Sequence, residues 1–218
     1  MQQLSERPKA LMFDFDGTIA DTRRLIISSY RQAFAQIGLD CPGDYEIGAT
    51  IGIPLTSAFR VLTGQNDAVI DQAVQAYKDI YKRMGYGMVQ AFPGMPELIR
   101  AASGFRLGIA SSRSRVSLVG MLAHLGISDS FEIILSRDDV IGEKPLPEML
   151  LPAASRLDLQ PAQMAMIGDT SYDIEMGHAA GSATVAVTWG NHDREALVGT
   201  QPTRCVDTVS ELGAVLGL

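Results

Sequence analysis

The chain has 218 residues, a formal net charge of −7, 46% hydrophobic residues and 20% charged residues. A chain of this length buries a full core, as one domain with an insertion or as two small domains. The acidic balance without a Lys/Arg block argues against nucleic-acid binding, and no apolar stretch reaches the roughly 20 residues of a membrane helix. We therefore expect no nucleic-acid partner, no membrane partner and a cytoplasmic location. Cys41 and Cys205 lack zinc-site spacing and are interpreted as reduced thiols.

The first predicted strand covers residues 9–15, an apolar run typical of a strand buried on both faces of a parallel sheet. Asp21 or Thr22 is placed to cap a helix that runs to residue 37. Gly38 is the residue type that ends such a helix.

The stretch from about residue 20 to residue 89 carries helical patterns and no convincing strand. Short helices are predicted within residues 44–64, around a loop at 50–54, and a longer helix begins at Asn66 or Asp67 and runs to about residue 84. We interpret this stretch as a helical insertion, or cap.

After Phe92-Pro93-Gly94 the pattern changes, and short apolar strands alternate with helices. The predicted strands are residues 106–110, 131–135, 164–167, 184–187 and 204–206. The predicted helices are residues 95–103, 114–125, 146–157, 171–180, 192–198 and 208–216. Pro152 should kink or break the third of these helices.

This alternation predicts an α/β fold, namely a doubly wound, Rossmann-like parallel sheet core with an inserted α-helical cap domain. The predicted core comprises residues 1–20 and 91–218. The predicted cap comprises residues 21–90.

Two carboxylates stand where the first predicted strand becomes a loop, in the sequence Asp14-Phe15-Asp16-Gly17-Thr18. Burying two like charges beside an apolar strand is costly unless a cation or a bound ligand offsets them. Gly17 permits a tight turn and the close approach of a ligand. The alternative is an Asp-Gly turn between two strands, which the helical sequence that follows disfavours. We therefore interpret Asp14 and Asp16 as part of a site.

Further candidates follow from the rule that ligands bind beyond the carboxyl ends of the strands in such sheets. The polar residues at these ends, and in the loop between them, are Ser111, Ser112, Arg113, Lys144, Asp169 and Asp173. Each has an alternative role: Ser111 or Asp169 as a helix cap, Asp173 as an exposed first-turn acid, and Lys144 as a solvated loop cation. Four such coincidences in the right order favour one common site.

The constellation resembles the haloacid dehalogenase-like (HAD) hydrolase superfamily over nearly the whole chain. The matching motifs are, in chain order, Asp14-Phe15-Asp16-Gly17-Thr18, Ser111 after an apolar strand, Lys144 followed by proline, and Gly168-Asp169 with Asp173. The helical stretch between the first two motifs is similar to the cap of the phosphoglycolate phosphatase-like subfamily. Phe92-Pro93-Gly94 and Val187-Thr188-Trp189-Gly190 also resemble that group.

The resemblance implies a Mg²⁺-dependent phosphatase that acts on a small phosphorylated substrate. It implies Asp14 as the nucleophile that forms an aspartyl-phosphate and Asp16 as the acid and base. The implied phosphate-binding residues are Ser111, Ser112, Arg113 and Lys144, of which Lys144 is also catalytic. For Arg113 a surface role is an equal alternative.

The resemblance also implies a set of oxygen ligands for Mg²⁺. These ligands are the Asp14 carboxylate, the Asp16 backbone carbonyl and Asp169. Asp173 is either a ligand through water or the residue that orients Lys144.

Three related reactions are disfavoured by the sequence. Asp16 is present, whereas the dehalogenases of the superfamily lack the second aspartate. No lysine lies between Lys9 and Lys78 to supply the cap lysine of phosphonoacetaldehyde hydrolases. None of the three histidines falls in the predicted cap, where the related mutases carry one. A phosphatase is left as the expected activity.

Phosphoglycolate is the leading substrate candidate, and inorganic pyrophosphate and sugar phosphates are its rivals. Arg23, Arg24 and Arg60 are candidates to bind a substrate carboxylate, with solvent exposure favoured for each. A sugar-phosphate mutase is a further alternative, and a non-catalytic regulatory or binding protein is an alternative of a different class. We expect a monomer or homodimer, with a lid motion hinged near residues 20–22 and 91–94.

Overall fold

The computed structural model describes residue 4 and residues 7–218; the other residues of the predicted core segment 1–20 lie outside the described part. A sheet of six parallel strands has the order β5-β4-β1-β6-β7-β8. The strands are β1 (Ala10–Phe13), β4 (Arg106–Ala110), β5 (Ile133–Leu135), β6 (Met164–Gly168), β7 (Ala183–Val187) and β8 (Arg204–Val206). The predicted doubly wound parallel sheet is confirmed.

The strand order reverses at β1. The chain passes from β1 to β4 and β5 on one side and then returns to β6 on the other side. The carboxyl ends of β1, β4 and β6 are therefore adjacent. This is the switch point at which such sheets bind ligands.

Apolar side chains cover both faces of the sheet. Along β1, Leu11 and Phe13 belong to one buried cluster, whereas Ala10 and Met12 belong to another. The first cluster includes helices α5 (Met95–Ala101), α6 (Arg115–His124) and α10 (Val209–Leu216), and the second includes α7 (Leu150–Arg156) and α8 (Ser171–Ala180). A third, small cluster joins α9 (Arg194–Gly199) to α8 and β7. Burial on both faces explains why the first strand is apolar without alternation.

Four helices lie between residues 21 and 90: α1 (Arg23–Ile37), α2 (Asp44–Ala49), α3 (Leu55–Thr63) and α4 (Asp67–Met84). An aromatic cluster joins α1, α3 and α4. In it the Tyr30 ring centroid lies 4.9 Å from that of Phe59 and 4.8 Å from that of Tyr77. Asn66 caps α4 with its side chain, as predicted. None of the described helices has the length and apolar character needed to cross a membrane.

Two short strands that the sequence analysis did not predict connect these helices to the sheet. β2 (Ala20–Asp21) and β3 (Gln90–Ala91) pair antiparallel. Each has two residues, too few for an alternating pattern to identify a strand. They lie where the chain leaves the sheet for the four helices and where it returns, which are the positions of the predicted hinges.

Several elements differ from the predictions, most by one or two residues at an end. β1 ends at Phe13, two residues earlier than predicted. The predicted third helix of the core is divided into a short 3₁₀ turn, Pro147–Met149, and α7. Pro152 lies in the first turn of α7, where proline is tolerated. Thr22 precedes α1, but its side chain makes no capping hydrogen bond and instead donates to Asp16.

Candidate active site

The turn after β1 begins the site. The Asp14 N–H donates to the Ile167 carbonyl of β6 at 2.9 Å, so Asp14 is fixed at the carboxyl end of the sheet. Gly17 has a φ of +87°, and a Cβ atom at this position would lie 2.1 Å from Oδ2 of Asp169. Both the backbone conformation and the packing therefore require glycine, in agreement with the predicted tight turn.

Lys144 lies between two buried carboxylates. Its Nζ donates hydrogen bonds of 2.6 Å to Oδ1 of Asp14 and to Oδ1 of Asp173. The Lys144 side chain is 0% exposed, so the alternative of a solvated loop lysine is wrong. Burial acts to lower the pKa of Lys144, but the two carboxylates raise it above its ordinary value. The ammonium group therefore keeps its charge.

The raised pKa of Asp14 reflects the electrostatic cost of burying several carboxylates beside one lysine. Burial raises the pKa of its carboxyl well above its usual range, while the charge of Lys144 acts to lower it. Neighbouring carboxylates, first among them that of Asp173, add to the rise. The site therefore holds less positive charge than its buried carboxylates require, as expected for residues that bind a further cation.

The first turn of α8 fixes Asp173. Its Oδ2 accepts hydrogen bonds from the N–H (3.1 Å) and the hydroxyl (2.7 Å) of Thr170, which caps α8 in return. Its other carboxylate oxygen is bonded to Lys144. Asp173 is 0% exposed, so the alternative of an exposed first-turn acid is wrong. Because the cap is Thr170, the capping role considered for Asp169 is also wrong.

Asp169 is held by hydrogen bonds to both oxygens. Oδ1 accepts from the Thr18 hydroxyl at 2.8 Å, and Oδ2 accepts from the Asn191 N–H at 2.7 Å and from Nδ2 of Asn191 at 2.9 Å. Burial raises the pKa of Asp169 to about 7, and the charge of Asp173 adds to this effect. A Cβ atom at Gly190 would lie 2.2 Å from Oδ2 of Asp169, so the loop after β7 also packs on this carboxylate.

Asn191 is a site residue that the sequence analysis missed. Besides Asp169, its Nδ2 contacts the Asp16 backbone carbonyl at 3.2 Å, and its Oδ1 accepts from Arg23 at 3.3 Å. The only signal in the sequence is its place directly after Trp189-Gly190, at the end of an apolar strand. Arg23 therefore contacts the loop that contains Asn191 and is only partly exposed to solvent.

Three carboxylates form a group that suits a metal ion. Asp14, Asp169 and Asp173 are buried, and each offers an oxygen within 4.8 Å of the others. The donor set consists of hard oxygen atoms, which Mg²⁺ prefers. The Asn191 amide donates to Asp169 and to the Asp16 carbonyl, so it presents partial positive charge to two of the predicted ligands. The residues present therefore fit the implied ion.

Arg113, in the loop after β4, donates hydrogen bonds to both carboxylate oxygens of Asp16. Its Nε donates to Oδ2 of Asp16 at 2.9 Å, and one of its terminal nitrogens donates to Oδ1. The other terminal nitrogen donates to the Tyr81 hydroxyl of α4 at 2.6 Å. Burial acts to lower the pKa of Arg113, but Asp16 raises it above its ordinary value. The Arg113 side chain is 10% exposed, so its alternative surface role is wrong.

The two serines of the same loop have different contacts. Ser111 is buried, and its Oγ accepts from the Arg113 N–H at 3.3 Å. It does not cap α6, whose N-cap is Ser114. The Ser112 hydroxyl donates to the Gly52 carbonyl at 2.7 Å and thus joins this loop to the helical insertion.

A cavity of about 550 Å³ opens above these residues. Asp14, Asp16 and the three residues 111–113 line one side of it. Residues of α1, α3, α4, the 50–54 loop and the start of α6 line much of the rest, together with Arg137. No histidine is among the described residues that line it. Arg24 and Arg60 are exposed, and Arg60 pairs with Asp67. The structure thus brings the predicted catalytic, phosphate-binding and metal-binding residues to this cavity or close to the Asp14 carboxylate that lines it, whereas the candidate carboxylate-binding residues Arg23, Arg24 and Arg60 do not line it.

Comparison with known proteins gives a consistent result. A family model described as haloacid dehalogenase-like hydrolase matches residues 11–187. The chain is 35% identical to a Dickeya dadantii protein named Probable phosphatase IndB, over 93% of this chain and 90% of that protein. It is 30% identical to pyrophosphatase PpaX of Bacillus pumilus, over 95% of each. The structure of a haloacid dehalogenase-like family hydrolase from Streptococcus pneumoniae matches with a TM-score of 0.86 and 28% identity, over 95% of this chain and 98% of that chain.

Proposed function

The chain belongs to the haloacid dehalogenase-like hydrolase family, and we propose that it is a Mg²⁺-dependent phosphatase that hydrolyses a phosphorylated metabolite through an aspartyl-phosphate on Asp14. One observation carries the proposal. Lys144 bonds both Asp14 and Asp173 at 2.6 Å, and Asp14 lines a cavity large enough for a metabolite. A buried cation fixed against a carboxylate suits attack on an anionic phosphoryl group, because it offsets the charge of both reactants.

In the first half of the reaction, Asp14 attacks phosphorus. The attacking atom is the carboxylate oxygen that does not accept the Lys144 hydrogen bond. The new oxygen–phosphorus bond forms as the bond between phosphorus and the leaving oxygen breaks. Asp16, in its protonated form, donates its proton to that oxygen.

In the second half, water attacks the phosphorus of the aspartyl-phosphate. Asp16 accepts a proton from this water, and the Asp14 carboxylate and inorganic phosphate are restored. Both oxygens of Asp16 accept hydrogen bonds from Arg113. Asp16 must therefore turn away from Arg113 before it serves as an acid.

The phosphate is held by groups at the side of the cavity that Asp14 and Asp16 line. We assign this role to Ser111, Ser112, Arg113 and Lys144. Lys144 offers the nearest fixed positive charge, and Arg113 gains freedom to bind phosphate when Asp16 turns away.

Asp14, the Asp16 carbonyl and Asp169 would hold Mg²⁺, while Asp173 orients Lys144. When bound, the ion supplies positive charge that offsets the charge of the phosphoryl oxygens. The three buried carboxylates and the raised pKa values of Asp14 and Asp169 support this assignment, because both indicate a site short of positive charge. The Asn191 amide would yield its contacts with the Asp16 carbonyl and Asp169 to the ion.

Residues 21–90 act as a cap in this proposal, with hinges near residues 20–22 and 91–94. The paired strands β2 and β3 would form the joint. Phosphoglycolate is the substrate candidate that the family resemblance suggests. Inorganic pyrophosphate is the rival that the PpaX similarity suggests.

The mechanism is tested with Asp14→Asn and acetyl phosphate, a small activated substrate that needs no leaving-group pocket. We expect Mg²⁺-dependent release of phosphate from the wild type, inhibition by EDTA, and a loss of at least about 10³-fold in kcat for Asp14→Asn. Asp71→Asn, an exposed aspartate of α4, is the matched control and should retain wild-type activity.

Circular dichroism and thermal unfolding would show that Asp14→Asn remains folded. Activity that survives Asp14→Asn, or that ignores EDTA, would refute the mechanism. The absence of turnover in the wild type would favour a non-catalytic binding protein.

A further inference from the structure

The cavity is larger than a small phosphate ester needs. Its volume of about 550 Å³ lies within the roughly 300–1,000 Å³ typical of pockets for drug-sized ligands. At about 30 Å³ per molecule in the liquid, the same volume would hold about 18 waters. Phosphoglycolate adds only a methylene group and a carboxylate to the phosphate, and pyrophosphate adds only a second phosphate.

Aromatic rings form one wall of the cavity. Tyr30 of α1 and Tyr77 and Tyr81 of α4 lie in sequence along it. The centroids of Tyr30 and Tyr77 are 4.8 Å apart, and Tyr77 and Tyr81 are stacked at 5.6 Å with 23° between their planes. Aliphatic side chains of the insertion line much of the remaining surface: Ile26, Ile51, Ile53 and Leu55.

The hydroxyl groups of this wall differ in their partners. The Tyr81 hydroxyl accepts a hydrogen bond from Arg113 at 2.6 Å. Tyr77 lines the cavity and is only 9% exposed, and no hydrogen bond joins its hydroxyl to another described residue. Because this hydroxyl is not sealed from solvent, Tyr77 can offer a hydrogen bond to a ligand in the cavity.

The buried cations near Asp14 and Asp16 are already engaged. Lys144 is bonded to two carboxylates and Arg113 to Asp16. Of the other cations that line the cavity, Lys78 and Lys82 are exposed, and Arg137 is paired with Asp138. Among the described residues, a second anionic group close to the reacting phosphate would thus find no buried cation that is not already paired. This disfavours a carboxylate or a second phosphate as the leaving group.

We propose, on the premise of the phosphatase function above, that the substrate is a phosphate monoester whose leaving group carries a planar ring. The ring packs on Tyr77 and its aromatic neighbours, where offset or edge contacts stabilise it. A polar atom of the same leaving group bonds the Tyr77 hydroxyl. Nucleoside-sized esters match both the volume and this chemistry.

A matched pair of substrates tests the proposal. Uridine 5′-monophosphate and ribose 5-phosphate share a primary 5′ phosphate, but only the first carries a planar ring. We expect kcat/KM to be at least about 10-fold higher for the ring-bearing ester. Flavin mononucleotide and pyridoxal 5′-phosphate extend the ring-bearing set, and phosphoglycolate and glycerol 3-phosphate extend the other. The proposal is overturned if no ring-bearing ester exceeds the best ring-free ester.

Two variants test whether the planar ring of the substrate packs on Tyr77. Tyr77→Phe removes only the hydroxyl, so the ratio of kcat/KM for the ring-bearing to the ring-free ester should fall about 3- to 10-fold, mainly through KM. Tyr77→Leu removes the aromatic ring as well and should lower the ratio further. Tyr45→Phe is the control, because Tyr45 is 75% exposed on α2 and does not line the cavity. An unchanged ratio in both Tyr77 variants would contradict the assignment.

A measurement on the wild type avoids any folding defect of the variants. Uridine, which has the ring but no phosphate, should inhibit acetyl phosphate hydrolysis competitively at a concentration at least about 10-fold lower than ribose does. Equal inhibition would overturn the ring proposal while leaving the phosphatase intact. Failure to hydrolyse acetyl phosphate at all would instead refute the proposed function.

Discussion

At the scale of single residues, the contact between Arg113 and Asp16 shapes the chemistry. The guanidinium group meets both carboxylate oxygens, and Thr22 donates to the same carboxylate at 2.5 Å. These three groups come from the loop after β4, the turn after β1 and the start of the insertion. The position of the proposed acid and base therefore depends on the junction between sheet and insertion.

Replacing Arg113 by lysine tests the role of its planar fork. Lysine keeps the charge but lacks the fork, which bonds both oxygens of Asp16 and is assigned to the phosphate once Asp16 turns away. We expect kcat for acetyl phosphate to fall about 10- to 100-fold, because lysine cannot replace a two-point, charge-assisted contact with the phosphoryl group. Arg115→Lys is the matched control, since Arg115 is 49% exposed and pairs with Asp139 outside the cavity. Equal rates in the two variants would show that the fork has no part in catalysis.

The sequence predicted some of these residues better than others. Asp14 and Asp169 follow neighbouring parallel strands, so their meeting follows from the topology. The burial of Arg113 was not predictable, because it depends on a contact with Tyr81 of α4, which lies 32 positions earlier in the chain. Asn191 lies in a loop, where no periodic pattern identifies an inward-facing side chain.

At the scale of elements, the insertion depends on one aromatic cluster. Phe59 is fully buried, and its ring centroid lies 4.9 Å from that of Tyr30, 5.6 Å from that of Phe34 and 6.2 Å from that of Tyr77. It is the only contribution of α3 to this cluster within the described residues. The cluster also supports the wall of the cavity that Tyr30 and Tyr77 form.

Phe59→Ala should therefore lower the free energy of unfolding by about 3–5 kcal/mol, the usual cost of truncating a buried Phe. Urea unfolding followed by circular dichroism would measure the loss. Phe59→Leu retains most of the volume and should lose less. A loss below about 1 kcal/mol for Phe59→Ala would mean that the cluster contributes little to stability.

Long elements were predictable because apolar runs and helix caps signal them. β4 and α8 have the predicted bounds, and Gly38 ends α1 as expected. β2 and β3 were missed, because a pair of two-residue strands separated by about 70 positions has no local signal. Thr22 looks like a cap in the sequence, but its hydroxyl is used by Asp16 instead.

At the scale of the whole molecule, the buried carboxylates link stability to pH when no metal ion is bound. The pKa of Asp169 is raised by burial from 3.8 to about 7, and that of Asp14 is also raised. Between about pH 4 and pH 7 the folded chain then holds protons that the unfolded chain has lost. The free energy of unfolding should therefore fall as the pH rises through this window, at up to about 1.4 kcal/mol per pH unit for each group.

Urea unfolding in EDTA at pH 5 and pH 7.5 would measure this effect. Asp169→Asn is the control, because residue 169 then cannot titrate, and subtracting it leaves the contribution of Asp169 together with its effect on the pKa of Asp14. We expect wild type to lose stability relative to Asp169→Asn as the pH rises. Mg²⁺ should stabilise the wild type more at pH 7.5 than at pH 5, because it binds the deprotonated ligands. Parallel pH profiles for the two proteins would contradict the raised pKa of Asp169.

The chain contains one tryptophan, and its position makes it an optical probe of the site. The Trp189 indole N–H donates to the Thr18 carbonyl at 3.1 Å, and Thr18 in turn donates its hydroxyl to Asp169. The ring also lies 6.3 Å from Phe92, one residue beyond β3. Its ultraviolet fluorescence therefore reports on both the carboxylate group and the joint of the insertion. The proposed ion binding and cap movement can be tested by its emission in the unlabelled protein, with no second indole to obscure the signal.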